Sequence, residues 1–254
     1  MKWMLIIALI LSSTTQYPMQ VIAQTQKPAP QKNLNRPRFI PPKLSPGVGT
    51  VSGRRTGMGS RDNCPALTTE LTALVPSVKA PTSKQTSTSV SEIVGGLTTS
   101  SRPTFWFYMP YTNSLSGANA QFSLQDSAGN EMYKSTIALP SQPGVINITL
   151  PSNVAPLEID KTYRWFLKVR CTQQQAASVP IYVEGDIQRV NLAPNIVQQL
   201  ETATPQQKVT IYAINGIWFD SINILAQLRS SNEVDWQSLL QSVGLDNIAA
   251  PFTK

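Results

Sequence analysis

The sequence predicts a mainly β protein that ends in a helical segment. Charged residues make up 14 % of the chain, whereas proline occurs 20 times in 254 residues. This balance favours short strands and turns over long solvated helices. Short apolar and alternating runs recur between residues 71 and 190, and helical periodicity replaces them after Asn191. We therefore expect a body of strands at 64–190 and a helical segment at 191–254 that packs on it.

Residues 1–23 have the features of a cleavable signal peptide. Lys2 precedes an apolar run at 3–11, and Val21-Ile-Ala23 matches the small-residue cleavage pattern. The apolar run is shorter than the roughly 20 residues that a membrane-spanning helix needs. We expect cleavage after Ala23, export to the periplasm or the extracellular space, and no transmembrane anchor in the mature chain.

Residues 24–63 form a basic arm rich in proline and glycine. The arm carries eight lysines and arginines against a single acidic residue, Asp62, and shows almost no apolar periodicity. We predict that it is disordered. Its charge is typical either of a solvated linker or of a contact with an acidic glycan or lipid surface, for which Arg54, Arg55 and Arg61 are the candidates. Nucleic acid is not an expected partner of an exported chain.

Cys64 and Cys171 are the two cysteines of the chain. An even number of cysteines in an exported protein predicts pairing in an oxidising compartment. We expect a disulfide between them, and two separate buried thiols are the alternative.

The strand pattern predicts six or seven strands before residue 191. The predicted strands lie at 71–75, 104–109, 121–125, 131–137, 145–150, 163–170 and 180–190. The run at 104–109 is apolar on both faces, which is typical of a strand covered on both sides. The runs at 121–125 and 131–137 flank a glycine-containing loop and predict a β-hairpin. Gly185 is a candidate β-bulge within the last strand.

The strand at 163–170 alternates most clearly and indicates the architecture. Tyr163, Trp165, Leu167 and Val169 fall on one face, with charged residues between them. The preceding turn resembles the one before strand F of immunoglobulin and fibronectin type III domains, where a tyrosine bonds back across a corner. We assign that role to Tyr163 and predict an immunoglobulin/fibronectin-like β-sandwich.

The last sixty residues show helical signals. Thr204-Pro205 places an N-cap and a first-turn proline at the head of one helix, which follows a shorter helix at 194–203. Asn215-Gly216 separates it from a helix at 217–229, and a final short helix is expected at 234–243. The spacing of small and aromatic residues resembles a single tetratricopeptide hairpin.

Several long motifs resemble the family catalogued as domain of unknown function 928. They are Gly53-Arg-Arg-Thr-Gly57, Ser60-Arg-Asp-Asn-Cys-Pro65, Arg102-Pro-Thr-Phe-Trp-Phe-Tyr-Met-Pro-Tyr111, Tyr163-Arg-Trp-Phe166, Tyr182-Val-Glu-Gly185, Asn215-Gly-Ile-Trp-Phe-Asp220 and Leu239-Leu-Gln-Ser-Val-Gly-Leu245. The resemblance spans nearly the whole mature chain. It implies an exported cyanobacterial protein, with no activity to carry over.

The absence of histidine restricts the possible chemistry. None occurs in the sequence, which excludes a Ser-His-Asp triad, a Cys-His pair and imidazole metal ligands. Carboxylates remain as candidate catalytic groups, and Glu184 and Asp186 would share one face of a strand. A glycoside hydrolase uses such a pair of carboxylates, and a solvated sheet face is the alternative. Asp126 in the hairpin loop fits an Asx turn or, as the alternative, a calcium site.

Aromatic residues offer a possible contact surface. Trp106, Tyr108 and Tyr111 could form a platform for a sugar ring or a peptide, although core packing is the alternative for Trp106 and Tyr108. Tyr111, which follows Pro110, is expected to be exposed.

We expect a non-enzymatic binding or scaffolding module of the cell envelope, without cofactor or metal. Its expected partner is an envelope protein or an acidic glycan or lipid surface. The alternative is a carbohydrate-active enzyme or glycan-binding module.

Overall fold

The structure is a computed structural model that describes residues 36–42, 53–57, 64–65, 67–79, 92–171, 180–229 and 232–248. All of these belong to one compact unit at 35–254. The signal peptide prediction at 1–23 and Arg61 lie outside the described residues. The described strands are β1 (Thr72–Ala73), β2 (Ser77–Lys79), β3 (Glu92–Thr98), β4 (Thr104–Met109), β5 (Asn119–Gln125), β6 (Glu131–Ile137), β7 (Gly144–Thr149), β8 (Thr162–Arg170) and β9 (Ile181–Arg189).

The described strands form two sheets that share one core. One sheet has the order β1-β4-β7, and the other has the order β2-β3-β9-β8-β5-β6. All the pairings are antiparallel except that of β3 with β9. Phe107 from the smaller sheet lies edge-on to Trp165 from the larger sheet, with their ring centroids 5.6 Å apart. This contact between the facing side chains gives the molecule a sandwich-like, mainly β architecture.

The four described helices follow β9 and close one side of the core. They are α1 (Pro194–Thr202), α2 (Pro205–Ile214), α3 (Trp218–Leu228) and α4 (Glu233–Gln241). Thr204 is the N-cap of α2, as predicted, and it forms a capping box with Gln207 that was not predicted. The indole Nε1–H of Trp218 donates to the Leu74 carbonyl oxygen at 2.8 Å, and Phe219 lies edge-on to Phe105. These contacts join the helical segment to the sheets.

The predicted strands and helices agree with the structure within a few residues, with three exceptions. Strands β2 and β3 were not predicted, because β2 has only three residues and the sequence of β3 contains the consecutive glycines Gly95 and Gly96, which weaken a strand pattern. The proposed bulge at Gly185 is wrong, since β8 and β9 pair regularly with Trp165 opposite Gly185. The register shift instead occurs between Leu124 and Gln125 in β5.

The prediction of a disordered arm is corrected for two of its segments. In residues 36–42, Phe39 is 4 % exposed and lies edge-on to Trp218, with the ring centroids 5.1 Å apart. In residues 53–57, Arg54 forms a backbone bridge to Glu184 of β9, and Thr56 forms one to Thr72 of β1. The second segment thus contacts both sheets. Local composition does not reveal these contacts, because the partners lie far along the chain.

A disulfide joins Cys64 to Cys171, as predicted. Both cysteines are buried, and their Cα atoms are 5.1 Å apart. The alternative of two separate thiols is therefore excluded. The bond spans a sequence separation of 107 residues and ties the start of the body to the residue that follows β8.

Candidate functional site

An apolar cleft lies where the arm meets β2 and β3. Its volume is about 270 Å³. We call it the apolar cleft, and its lining residues are Phe39, Pro41, Pro42, Pro76, Ser77, Val78, Ile93, Val94, Gly95, Gly96, Leu97, Thr162, Asp186 and Gln188. Asp186 is the one charged residue among them.

The pairing of β3 with β9 brings Asp186 to the cleft. Gly95 lies opposite Asp186 in the parallel register, and a Cβ atom at Gly95 would approach the Asp186 carbonyl oxygen to 2.7 Å. The absence of a side chain at Gly95 therefore permits the close approach of the two strands at the cleft. An apolar recess beside one carboxylate suits a ligand with an apolar body and a hydrogen-bond donor.

The two candidate catalytic carboxylates share one guanidinium. Arg164 Nη2 lies 2.9 Å from Glu184 Oε2, and Arg164 Nη1 lies 3.4 Å from Asp186 Oδ1. Burial raises the pKa of the Asp186 carboxyl, the positive charge of Arg164 opposes that rise, and the negative charge of Glu184 adds to it. The sequence was right to place both carboxylates on one strand face, but it did not identify the arginine that links them.

Two of the three candidate arginines of the arm, Arg54 and Arg55, have partners within the molecule. Arg54 lies over the ring of Tyr182, with its guanidinium carbon 4.6 Å from the ring centroid. Arg55 donates to the Val243 carbonyl oxygen at 2.7 Å, and its Nε lies 3.9 Å from a Glu92 carboxylate oxygen. Burial lowers the pKa of Arg55, and the charge of Glu92 opposes that effect. The prediction that Arg55 is available to an acidic surface is corrected, because this side chain binds the end of α4.

The predicted aromatic platform is not formed. Tyr111 is 3 % exposed, which corrects the expectation that it lies at the surface. Burial raises the pKa of its hydroxyl, and the charge of Glu70 adds to the shift. Trp106 is 7 % exposed and lies edge-on to Trp236 of α4, so the second face of β4 is covered by a helix. Tyr108 is half-buried and packs against the core.

Tyr163 makes a backbone bond of the kind expected from the turn that precedes it. Its hydroxyl oxygen accepts a hydrogen bond from the Glu158 backbone N–H at 2.9 Å, and the side chain is 4 % exposed. This bond links the start of β8 to the preceding turn. Its geometry supports a structural role for Tyr163.

A second recess, which we call the Asp220 pocket, was not predicted from the sequence. Its volume is about 220 Å³, and its lining residues are Thr98, Ser100, Arg102, Pro103, Thr104, Tyr212, Phe219, Asp220, Asn223 and Ile224. Asp220 Oδ2 accepts from Thr98 Oγ1 at 2.7 Å and from the Thr99 backbone N–H at 3.1 Å, and Asp220 Oδ1 accepts from Thr99 Oγ1. The sequence contains one signal for a buried Asp220. This aspartate directly follows Trp218 and Phe219, and bulky apolar residues are usually buried.

Burial raises the pKa values of two groups in the Asp220 pocket. It raises the pKa of the Asp220 carboxyl, and the hydrogen bonds from Thr99 and Thr98 oppose that rise. Burial also raises the pKa of Tyr212, with the charge of Asp220 as a further cause. The side chain of Thr99 opposes the rise in the pKa of Tyr212.

The hairpin loop contains an Asx turn at the predicted place. Asp126 Oδ1 accepts from the backbone N–H groups of Ala128 and Asn130, at 2.9 and 2.8 Å. Within the described ranges, no group of three or more acidic or cysteine residues is placed to hold a metal ion. No helix in the same part of the chain is long and apolar enough to cross a membrane.

Comparison with known proteins places the chain in a family. The family model described as Domain of Unknown Function (DUF928) matches residues 56–252, and the chain therefore belongs to that family. No curated protein and no solved structure matches it.

Proposed function

We propose that this member of the DUF928 family is an exported, non-enzymatic module of the cell envelope that binds an extended segment of a partner protein. The apolar cleft carries the proposal, because it combines an apolar recess of about 270 Å³ with one bordering carboxylate. The signal peptide features and the disulfide fit an oxidising compartment outside the cytoplasm. The family resemblance makes a cyanobacterial envelope the proposed setting.

The proposed scaffold is an immunoglobulin/fibronectin-like sandwich with a tetratricopeptide-like hairpin packed on it. The strand order β1-β4-β7 and β2-β3-β9-β8-β5-β6 supports the first part, together with the Tyr163 bond to Glu158. The contact between α2 and α3, in which Ser221 Oγ–H donates to the Val209 carbonyl oxygen, supports the second part.

An edge strand favours a peptide as the occupant of the cleft. Among the described residues, β2 pairs with β3 on one side and has no strand on the other. An extended peptide can therefore add alongside β2 through backbone hydrogen bonds and place an apolar side chain beside Val78, which is 41 % exposed. Asp186 Oδ1 pairs with Arg164 at 3.4 Å, and the second carboxylate oxygen can accept a hydrogen bond from a basic residue in that peptide.

The same geometry disfavours the other candidate functions. Glu184 and Asp186 both bind Arg164, whereas a glycoside hydrolase needs two carboxyl groups that are free to act on the substrate. An acidic glycan or lipid surface would need exposed cations; Arg55 is bound within the molecule, whereas Arg36 and Arg38 of the arm are exposed. The cleft favours a peptide as the partner, and the vesicle experiment below tests the acidic surface.

The test is peptide binding measured by fluorescence anisotropy on the mature protein. The probes are fluorescein-labelled Lys-Val-Leu-Val-Lys and Glu-Val-Leu-Val-Glu, which share one apolar core. We expect the lysine peptide to bind about tenfold or more tightly than the glutamate peptide, a difference of about 1.4 kcal/mol. Asp186→Asn should reduce this preference.

A matched pair of variants locates the binding site. Val78→Ser removes an apolar wall of the cleft, and Val234→Ser removes a similarly exposed valine from α4. Val78→Ser should weaken binding of the lysine peptide, whereas Val234→Ser should not. Equal binding by both variants would refute the peptide proposal. Salt-sensitive binding to phosphatidylglycerol vesicles without peptide binding would favour an acidic surface, and sugar release lost in Glu184→Gln would favour an enzyme.

A further inference from the structure

We propose that the Asp220 pocket is a second binding site, which takes a small neutral polyhydroxylated ligand such as a single sugar ring. The pocket shares no described lining residue with the apolar cleft. It is bordered by the end of β3, the start of β4 and the helices α2 and α3. The inference therefore concerns a different site from the one that carries the proposed function.

The charges of the pocket favour a neutral ligand. The Arg102 guanidinium donates to the carbonyl oxygens of Val154, Ser152 and Pro151 at 2.6, 3.0 and 3.1 Å. These bonds use three of its five N–H donors and hold the guanidinium against the loop that follows β7. Its charge offsets that of Asp220, so the described lining has no net charge. A neutral ligand therefore fits the pocket better than an anion or a cation.

The unused hydrogen-bonding capacity of the pocket matches hydroxyl groups. Asp220 Oδ1 accepts one hydrogen bond, from Thr99 Oγ1, and each carboxylate oxygen can accept two. Ser100 Oγ accepts from the Arg102 backbone N–H at 3.1 Å, and its own hydrogen has no acceptor among the described residues. The Asn223 amide makes no hydrogen bond within the same part of the chain and supplies both donors and an acceptor. A hydroxyl group both donates and accepts, so a polyol can satisfy all three groups.

The apolar part of the lining and the volume of the pocket narrow the ligand further. Phe219 lines the pocket but is 2 % exposed, whereas the half-buried Ile224 can pack against the C–H face of a sugar ring. The volume of about 220 Å³ is below the roughly 300–1,000 Å³ of sites for drug-sized molecules. A single ring therefore fits better than an oligosaccharide.

The test is an NMR titration of the ¹⁵N-labelled mature protein with methyl β-D-glucopyranoside. We expect shifts of the backbone amide signals of Thr98, Thr99, Ser100 and Asn223. Sodium phosphate and cyclohexanol are control probes, and neither should shift these signals, because one is charged and the other has a single hydroxyl. Glucoside shifts confined to other parts of the molecule, or equal shifts with phosphate, would overturn the proposal.

Two asparagine variants show whether the pocket side chains bind the ligand. Asn223→Ala removes an amide that has no described partner, so the fold should tolerate the change, and Asn195→Ala is the control on the exposed surface of α1. Asn223→Ala should weaken glucoside binding about tenfold, the loss expected for one or two hydrogen bonds, whereas Asn195→Ala should leave it unchanged. Unchanged binding in Asn223→Ala would refute the assignment. Val78→Ser should not affect the glucoside titration, which separates this site from the apolar cleft.

Discussion

The substitution Phe39→Ala tests whether the arm is an integral part of the folded body. Phe39 is 4 % exposed and lies edge-on to Trp218. Burying an aromatic side chain contributes about 1.5–3 kcal/mol, and an edge-to-face contact adds about 0.5–1.5 kcal/mol. We therefore expect Phe39→Ala to lower the free energy of unfolding by about 2–4 kcal/mol. Residues 36–42 can detach before the rest of the protein unfolds. In that case the decrease in the free energy of unfolding cannot exceed the free energy with which this segment docks on the body.

Two measurements distinguish a global effect from local detachment. Urea unfolding followed by tryptophan fluorescence gives the free energy of unfolding, and limited trypsin digestion reports access to Arg38, since the proline after Arg36 blocks cleavage there. We expect Phe39→Ala to accelerate cleavage at Arg38, because the backbone bonds from Phe39 N–H to Ser242 Oγ and from Ile40 N–H to the Ala213 carbonyl oxygen would remain without the anchoring ring.

The neighbouring residue provides the control. Ile40 is 52 % exposed, so Ile40→Ala should change the unfolding free energy by less than about 0.5 kcal/mol. A Phe39→Ala variant that matches the parent protein in both urea and trypsin experiments would refute the conclusion that the arm is anchored by this side chain.

Three further predictions concern the core, the disulfide and the Asp220 pocket. Gly185→Ala should lower the free energy of unfolding by about 1–3 kcal/mol or more in urea, because the new Cβ would lie 2.5 Å from Trp165 Cζ2; an unchanged midpoint would contradict this. Replacing both Cys64 and Cys171 by serine should cost about 4–5 kcal/mol for the loop that the bond closes, measured against the parent protein with and without reductant. Asp220 has a raised pKa in the folded state, so its contribution to stability is fully present below the unfolded pKa of about 3.9 and is lost as pH rises through the folded pKa. The stability of the parent relative to Asp220→Asn should therefore fall as pH rises above about 4, and a difference that grows with pH would show the opposite sign.

Regular structure was largely predictable because it depends on local patterns. In β8, Tyr163, Trp165, Leu167 and Val169 are buried in strict alternation, as the sequence indicated. The N-cap at Thr204 likewise depends on residues three positions apart. Strand β3 was missed because Gly95 and Gly96 interrupt its apolar pattern, although they allow it to lie against β9 and α3.

The candidate sites were less predictable because each depends on residues that are distant in the sequence. Glu184 and Asp186 were correctly placed on one face, but their link to Arg164 arises from the pairing of β8 with β9. Tyr111 follows a proline and was expected at the surface, yet the tertiary fold buries it. The Asp220 pocket requires the end of β3 and the start of α3 to meet, which no local pattern reports.

The amino-acid sequence by itself determined the helices, the strands other than β2 and β3, the disulfide partners and the absence of imidazole chemistry. Alternation, helix capping and residue type are properties of short segments, so each can be recognised in the sequence without knowledge of the fold. The tertiary structure alone decided which polar groups are buried and which partners they have. Arg55 reaches the carbonyl group of Val243 across a separation of 188 residues, and the anchoring of Phe39 depends on contacts at similar range. The physical reason is that desolvation and hydrogen bonding depend on distance in space, whereas sequence patterns report only distance along the chain.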